Sequence, residues 1–183
     1  MRTSGFAFFE TSIGTCGIAW GASGLTGLQL PEASAADTRN RMRRRFAPAP
    51  ESAPPPIVQR AIDLIVRLLE GSAVDLSDIG LDMSWVPALH ARVYDIARTI
   101  PTGATMSYGE IASRLGMPAE ARAVGEALGK NPFPIVVPCH RVLAADGRPG
   151  GFSASGGVMT KLRLLSIERV QAPGTLPLFE TSA

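Results

Sequence analysis

Residues 131–142 (NPFPIVVPCHRV) place a cysteine, Cys139, directly before a histidine, His140, at the end of a short apolar run. The run at 135–137 is β-branched and lies between two prolines, which predicts a short extended segment that ends sharply. Such a segment would bring Cys139 to the edge of a hydrophobic core. The chemistry of the chain is therefore expected at this cysteine, and the rest of the fold is expected to position it.

A cysteine attacks as the thiolate, so a nucleophilic Cys139 needs a base or a cation nearby. His140 and Arg141 supply one of each, and the hypothesis is a sulfur kept ionised by the neighbouring imidazole. Because adjacent residues rarely face each other in a strand or helix, His140 is expected to reach the sulfur through a tight turn or one bridging water. The alternative is that Cys139 is a small buried hydrophobic residue, the commonest fate of a free cysteine.

Composition indicates an ordinary globular protein, with 45% hydrophobic and 19% charged residues in a chain of 183. This length permits two small domains, and we expect them at residues 1–85 and 86–183 in an α/β fold. The sequence contains neither an apolar segment long enough to span a bilayer nor a secretory signal, which predicts a soluble cytoplasmic protein without membrane contact.

Cysteine and histidine are too scarce and too scattered to build a metal site. Cys16 and Cys139 are the only cysteines, and His90 and His140 the only histidines. No Cys-x-x-Cys motif or closely spaced histidine pair is present, so no structural metal is expected. Two distant cysteines in a chain without a signal peptide also predict reduced thiols, and Cys16 is expected to be a core residue.

Charge gives only a weak indication of a nucleic-acid partner. The net charge is +2, and residues 86–183 carry 10 Lys+Arg against 7 Asp+Glu, which permits phosphate contact without requiring it. Five arginines between residues 39 and 45 are followed by a proline-rich loop that extends to residue 56. The arginines are interpreted as a solvated helix face, with a nucleic-acid patch as the alternative, and the role of residues 39–56 stays open.

Periodicity predicts a sheet followed by helices. Glycine-punctuated apolar bursts predict strands at 6–9, 15–20 and 24–30, and the apolar spacing at 57–69 predicts an amphipathic helix that covers one face of their sheet. Further helices are predicted at 89–99, 119–128 and 159–169, with residues 171–183 as a loose tail. Ser107 and Glu110 have the spacing of a capping box, so a helix is expected to begin there and to form a helix-turn-helix with 119–128.

Three spaced motifs, namely residues 138–142 (PCHRV), 131–132 (NP) and 122–125 (RAVG), together resemble the active-site region of the O6-alkylguanine-DNA alkyltransferases, also called methylated-DNA–protein-cysteine methyltransferases. The resemblance extends from about residue 89 to residue 168. It implies a small RNase H-like sheet packed by a helix, followed by a mostly helical domain. It also implies single-turnover transfer of an alkyl group from guanine O6 in duplex DNA, and less readily from thymine O4, to Cys139. Neither a cofactor nor a second protein chain is implied, and the expected partner is double-stranded DNA with an alkylated guanine.

The resemblance also implies roles on the DNA-binding side. Arg122 matches the arginine that enters the base stack from the minor groove and holds the space left by a flipped nucleotide. Tyr108 matches the tyrosine that crowds the flipped nucleoside and donates a hydrogen bond toward its base. Ala123 and Gly125 keep the second helix thin, and glycine costs about 1 kcal/mol of helix propensity relative to alanine, which suggests a close-approach role.

Around the sulfur, the resemblance assigns Glu168 to orient His140, with a surface ion pair to Arg141 or Lys161 as the alternative for this carboxylate. Asn131 is expected to lock the turn beside the active site. A base pocket is implied around three further residues, which are Val142, Phe152 and Ser153. Phe152 stands where the family usually has a tyrosine, and the loop after it is about two residues longer than the common form.

Two other functions use parts of the same pattern. A cysteine hydrolase would also use Cys139 and His140, but it would turn over on an ester or amide. A lesion-binding protein of the alkyltransferase-like kind lacks the nucleophilic cysteine, so the presence of Cys139 argues against it.

Overall fold

The computed structural model describes residues 3–170, so the tail predicted at 171–183 lies outside the described residues. The chain begins with a three-stranded antiparallel sheet of sequential hairpins in the order β1-β2-β3. Its strands are β1 Gly5–Thr11, β2 Gly14–Gly21 and β3 Gly24–Gln29, which confirms the three predicted strand positions. Gly14 and Gly24 both adopt positive φ angles where the strands turn, a backbone conformation that glycine adopts without strain.

Two helices cover the opposite faces of this sheet. Helix α1 (Ala35–Phe46) packs Met42 and Phe46 against one face, and helix α2 (Pro56–Leu69) packs its apolar stripe against the other. The predicted helix at 57–69 is confirmed, and the arginine-rich stretch is helical as expected.

Loops form hydrogen bonds with part of each outer strand of the sheet. Phe6 of β1 exchanges backbone hydrogen bonds with Pro50 and Ser52 of the proline-rich loop. On the other side, the Leu25 amide donates to the Gly80 carbonyl, and the Leu28 amide donates to the Pro132 carbonyl. The β3 edge is therefore joined directly to the segment that precedes Cys139.

The second half of the chain is mostly helical. Helix α3 (Ala88–Arg98) leads to a short strand β4 (Met106–Ser107), helix α4 (Tyr108–Arg114) and helix α5 (Ala121–Gly129). The predicted capping box is present: the Glu110 amide donates to Ser107 Oγ, and the Ser107 amide donates to the Glu110 carboxylate. Helices α4 and α5 pack together across one turn, and α5 begins two residues later than predicted.

A 3₁₀ turn, a parallel strand pair and a last helix close the fold. The 3₁₀ turn spans Cys139–Arg141, strand β5 (Val142–Leu143) pairs with β4, and helix α6 covers Gly157–Ile167. Glu168 lies just beyond this helix, as its C-cap, whereas the sequence pattern placed it within the last turn.

Two main clusters of buried side chains form the interior. One joins the sheet and α2, and it also includes Ile135, Val136 and Leu164 from beyond residue 86. The other is built by α3, α4, α5 and the residues around Cys139. Core packing thus crosses the boundary that the sequence suggested at 85/86. No helix within residues 3–170 combines the length and the apolar character needed to cross a membrane.

Candidate active site

An open cavity of about 1000 Å³ lies between helices α4 and α5 and the loop that follows β5. Tyr108, Arg122 and Gly125 line its helical side, and Phe152 lines its loop side. Cys139 also lines the cavity, although only 7% of its surface is exposed. The thiol is therefore buried at the wall of a space of the size in which proteins hold small organic groups.

The segment before Cys139 is a turn, so the predicted extended conformation at 135–137 is wrong. The Val137 amide donates to the Phe133 carbonyl at 2.8 Å, and Ile135 has a positive φ of 76°, which extended backbone does not adopt. Asn131 closes the turn, because its Nδ2 donates to the Val137 carbonyl and its Oδ1 accepts from the Phe133 amide. These side-chain bonds offer the backbone an alternative to a strand ladder.

Two further features make this turn stiff. Phe133 is fully buried, and Ile135 and Val136 pack into the cluster that contains the sheet. A β-branched residue with positive φ is strained, and such strain persists only where the surrounding structure fixes the conformation. The turn at residues 131–138, hereafter the 131–138 turn, delivers Cys139 to the first position of the 3₁₀ turn.

Cys139 is a protonated thiol at rest. Burial raises the pKa of Cys139 above its ordinary value, and this effect outweighs a hydrogen bond with Asn131 and the positive charge of Lys161, which lower it. The expectation that the imidazole keeps the sulfur ionised is therefore wrong for the resting protein. A reaction at this sulfur has to remove the proton as the substrate binds or reacts.

The His140 imidazole is held by a buried carboxylate. His140 Nε2 lies 2.9 Å from Glu168 Oε1, and both side chains are almost fully buried. Because a carboxylate only accepts hydrogen bonds, Nε2 carries the proton and Nδ1 has the free lone pair. Nδ1 is one of two buried side-chain atoms within residues 3–170 that have no hydrogen-bond partner. This unused acceptor belongs to the residue that follows Cys139, and a buried acceptor without a protein partner can be satisfied by a water molecule.

The ionisation states of this pair follow from burial and contacts. Burial lowers the pKa of His140, although the hydrogen bond and charge of Glu168 act in the opposite direction, so the imidazole is neutral near pH 7. Burial alone would raise the pKa of Glu168, but hydrogen bonds from His140 and Arg141 outweigh it and lower the pKa to about 2. A neutral imidazole oriented by a carboxylate is suited to accept a proton.

Arg141 completes the network from behind. Its Nε and Nη2 donate to the two oxygens of Glu168 at 2.8 and 2.9 Å, and its Nη1 donates to the Ile100 carbonyl. This two-pronged ion pair is buried, with 7% and 3% side-chain exposure. The alternative of an ion pair with Arg141 is thus present, but it is buried and coexists with the His140 contact.

Lys161 is a fully buried cation that the sequence analysis did not select as functional. Its Nζ donates to the Val142 carbonyl at 2.6 Å and lies 3.4 Å from the Tyr108 hydroxyl. Burial lowers the pKa of Lys161 to about 8, an effect opposed by Cys139, and burial raises the pKa of Tyr108. The signal in the sequence was a lysine three and four residues before Leu164 and Leu165, on the apolar face of α6.

The structure brings the predicted site residues together in two groups. Around the cavity it gathers Tyr108, Arg122, Gly125, Cys139, Phe152 and Ser153. It joins His140 to Glu168 by a hydrogen bond, whereas Asn131 bonds the Val137 carbonyl in the turn that precedes Cys139. Ala123 and Val142 are not among the residues that line the cavity, and Val142 is fully buried.

Two glycines beside Tyr108, Gly125 and Gly150, differ in how tightly they pack against it. A Cβ on Gly125 would lie 3.8 Å from the Tyr108 ring, an ordinary contact, so packing inside the protein does not demand glycine there. A Cβ on Gly150 would lie 3.2 Å from the Tyr108 hydroxyl, and Gly150 has a φ of 62°.

In residues 3–170, no cluster of three His, Cys, Asp or Glu side chains could hold a metal ion.

The chain matches a family model described as 6-O-methylguanine DNA methyltransferase, DNA binding domain, over residues 88–170. A methylated-DNA–protein-cysteine methyltransferase of Methanothermobacter thermautotrophicus is 36% identical over 158 residues, which are 86% of this chain and 81% of the relative. The Mycobacterium tuberculosis protein of the same name is 37% identical over 171 residues, covering 93% of this chain and 96% of the relative.

The fold is also similar to solved structures. The crystal structure of Mycobacterium tuberculosis OGT in complex with DNA superposes with a TM-score of 0.74 and 34% sequence identity. That superposition covers 93% of this chain and 96% of the crystallised one.

Proposed function

The chain belongs to the methylated-DNA–protein-cysteine methyltransferase family, and from this premise we propose that Cys139 is the residue that accepts the alkyl group. Proteins of this family repair DNA by moving an alkyl group directly from a damaged base to one of their own cysteines, and this chain does the same. The observation that carries the assignment is that Cys139 borders the cavity while its neighbour His140 is held by Glu168. Cys16, by contrast, is buried in the sheet core.

Transfer begins with removal of the thiol proton. His140 Nδ1 takes a proton from a bridging water, which takes one from Cys139. The sulfur electron pair then forms a bond to the alkyl carbon, while the bond from that carbon to guanine O6 breaks and leaves its electron pair on the base. In the net reaction one proton passes from sulfur to guanine and a thioether forms on Cys139.

Tyr108 and Lys161 support the departure of the base. The Tyr108 hydroxyl borders the cavity and donates toward guanine N3 as negative charge develops on the leaving base. Lys161 Nζ lies behind this hydroxyl, at 3.4 Å, and its positive charge favours both the thiolate and the charged leaving group. O4-alkylthymine would react by the same steps, as a poorer substrate.

The thioether is chemically stable, so each molecule acts once. Residues 3–170 offer no second thiol at the cavity and no metal cluster that would help to cleave it. The acceptor, its base and the cavity all lie on one chain, so we propose that a monomer acts on duplex DNA without a cofactor. A reduced thiol is required, which supports a cytoplasmic location.

Intact-protein mass spectrometry tests the assignment. After incubation with a duplex that contains O6-methylguanine, the protein should gain the mass of one methyl group per chain, and peptide mapping should locate it at Cys139. A cysteine hydrolase would leave no stable adduct. An adduct at any other residue, or an unmodified protein with intact lesion, would contradict the proposal.

Arg122 is expected mainly to stabilise DNA in which the damaged base is extruded from the stack. Arg122→Ala should slow transfer from duplex DNA by roughly 10-fold or more, because unstacking a base costs a few kcal/mol that the arginine offsets by filling the gap. Binding to undamaged duplex should weaken less than this. Arg114→Ala removes another exposed arginine, on α4, and serves as the matched control. Equal transfer by Arg122→Ala and the parent protein would exclude the proposed role.

A further inference from the structure

The last arginine of the arginine-rich helix differs from its neighbours in what it contacts. Arg39 and Arg43 pair with Glu51, and Arg41 pairs with Glu32, all at the surface. Arg45 instead donates from Nη1 to the Leu28 carbonyl at 3.0 Å and from Nη2 to the Pro132 carbonyl at 3.3 Å. Its guanidinium therefore bridges strand β3 and the 131–138 turn.

The sheet makes room for this arginine. A Cβ on Gly27 of β3 would lie 2.5 Å from Cζ of Phe46, which requires a displacement, and 3.0 Å from Nη2 of Arg45, which is a tight contact. The guanidinium also stacks over the Phe46 ring, at 4.8 Å from its centroid. Although Arg45 is partly exposed, its guanidinium is thus held by the two carbonyls and the Phe46 ring. It packs against β3 where Gly27 has no side chain.

The Pro132 carbonyl lies next to the residue that closes the turn. It accepts from both the Leu28 amide, at 2.8 Å, and Arg45, so the β3 edge and α1 hold the same atom. Asn131, the preceding residue, bonds the Val137 carbonyl and the Phe133 amide. The Cys139 amide donates to the same Val137 carbonyl at 2.8 Å, so a shift of the Pro132 carbonyl would move Asn131, the Val137 carbonyl and, through it, the backbone of Cys139.

We propose that Arg45 is a positioning residue for alkyl transfer, which acts by clamping the Pro132 carbonyl and thereby fixing Asn131 and, through the Val137 carbonyl that Asn131 and the Cys139 amide share, the position of Cys139. The inference rests on the proposed role of Cys139. It gives the first 85 residues, which carry neither the sulfur nor its base, a defined part in the reaction. A 1 Å displacement of a reacting group can cost about 10²-fold in rate, so a small shift of the turn is sufficient.

The planar arrangement of the guanidinium nitrogens is needed for this clamp as well as the positive charge. Lysine has one ammonium group and cannot present two nitrogens in a fixed plane to two carbonyls. Arg45→Lys should therefore restore only part of what Arg45→Ala removes. Arg44 precedes Arg45 on the same helix and makes no hydrogen bond or ion pair to any of residues 3–170, so Arg44→Ala is the matched control.

The test measures single-turnover transfer at saturating O6-methylguanine duplex, as a function of pH, for the parent, Arg44→Ala, Arg45→Ala and Arg45→Lys. We expect Arg45→Ala to lower the rate constant by about 10-fold, Arg45→Lys to fall between, and Arg44→Ala to match the parent. The pH–rate profile of Arg45→Ala should shift to higher pH, because Asn131 no longer stabilises the thiolate. A loss of global stability alone would not move this profile in folded protein.

If the parent protein transfers normally, two outcomes would overturn the proposed role of Arg45 and leave the proposed function standing. One is a rate and a pH profile of Arg45→Ala that match Arg44→Ala. The other is a defect that appears only in a parallel series at subsaturating DNA, which would make Arg45 a DNA-affinity residue. Failure of the parent to form a Cys139 adduct would instead overturn the proposed function, and the inference with it.

Discussion

Cys139→Ala is expected to abolish alkyl transfer, to below about 10⁻³ of the parent rate, because no other group at the cavity can form a stable thioether. Duplex binding should persist within about threefold, a change of under about 1 kcal/mol, since Cys139 is only 7% exposed and the residues proposed to contact DNA are unchanged. Single-turnover assays and intact mass measure the first quantity, and gel-shift or anisotropy titrations measure the second.

Cys16→Ala is the matched control for this experiment. Cys16 lies on β2 in the sheet core with 2% exposure, and burial raises the pKa of its thiol to about 12. The Cys16 variant should therefore accept one alkyl group at the parent rate. Residual transfer by Cys139→Ala together with loss in Cys16→Ala would reverse the assignment of the two cysteines.

Glu168→Gln is expected to damage both stability and chemistry. The glutamine would turn an amide toward donors of Arg141, and it would leave this buried guanidinium without its counter-charge. The pKa of Glu168 is lowered from 4.5 to about 2, which corresponds to about 3 kcal/mol of folding free energy at pH 7. Loss of the carboxylate that orients His140 should also slow transfer by roughly 10²-fold.

The pH dependence of this contribution has a definite sign. Because the pKa of Glu168 is lower in the folded state, its stabilisation is fully present above pH 4.5 and is lost as the pH falls toward 2. Urea denaturation of the parent should therefore show a fall in unfolding free energy across this window. Glu168→Gln should start lower and show a smaller fall.

Glu126→Gln is the control for stability. Glu126 pairs with Lys130 at the surface, with more than 60% of each side chain exposed, so its loss should change the unfolding free energy by less than about 1 kcal/mol. If Glu168→Gln were as stable as Glu126→Gln at pH 7, the buried network would not contribute as proposed.

Local patterns were sufficient to predict the elements whose signals are short-range. Glycines at the hairpin turns, the apolar stripe of α2 and the Ser107–Glu110 capping box each depend on neighbours within a few residues, and all three are present. The pairing of β4 with β5 was not predicted, since two-residue strands 36 positions apart leave no periodic signal. The turn around Ile135 was missed because side-chain bonds from Asn131 and burial on both sides overrode the β-propensity of its residues.

At the site, the sequence selected the residues that are proposed to react but not the contacts that hold them. Cys139, His140 and Glu168 were selected, yet the raised pKa of the thiol depends on burial, which requires the three-dimensional fold. Arg141 was considered as a cation near the sulfur and as a partner of Glu168, and Lys161 only as a partner of Glu168. Their hydrogen bonds to the Ile100 and Val142 carbonyls come from separate elements that the fold brings together.

The loops along β1 and β3 have a consequence for self-association. A three-stranded sheet with bare outer strands can recruit a strand from another molecule and seed aggregates. Here Pro50 and Ser52 occupy the backbone of Phe6, while Gly80 and Pro132 occupy that of Leu25 and Leu28. A chain that reacts once is spent, and these loops leave both the fresh and the spent molecule fewer free backbone groups, at Phe6, Leu25 and Leu28, to offer a second copy.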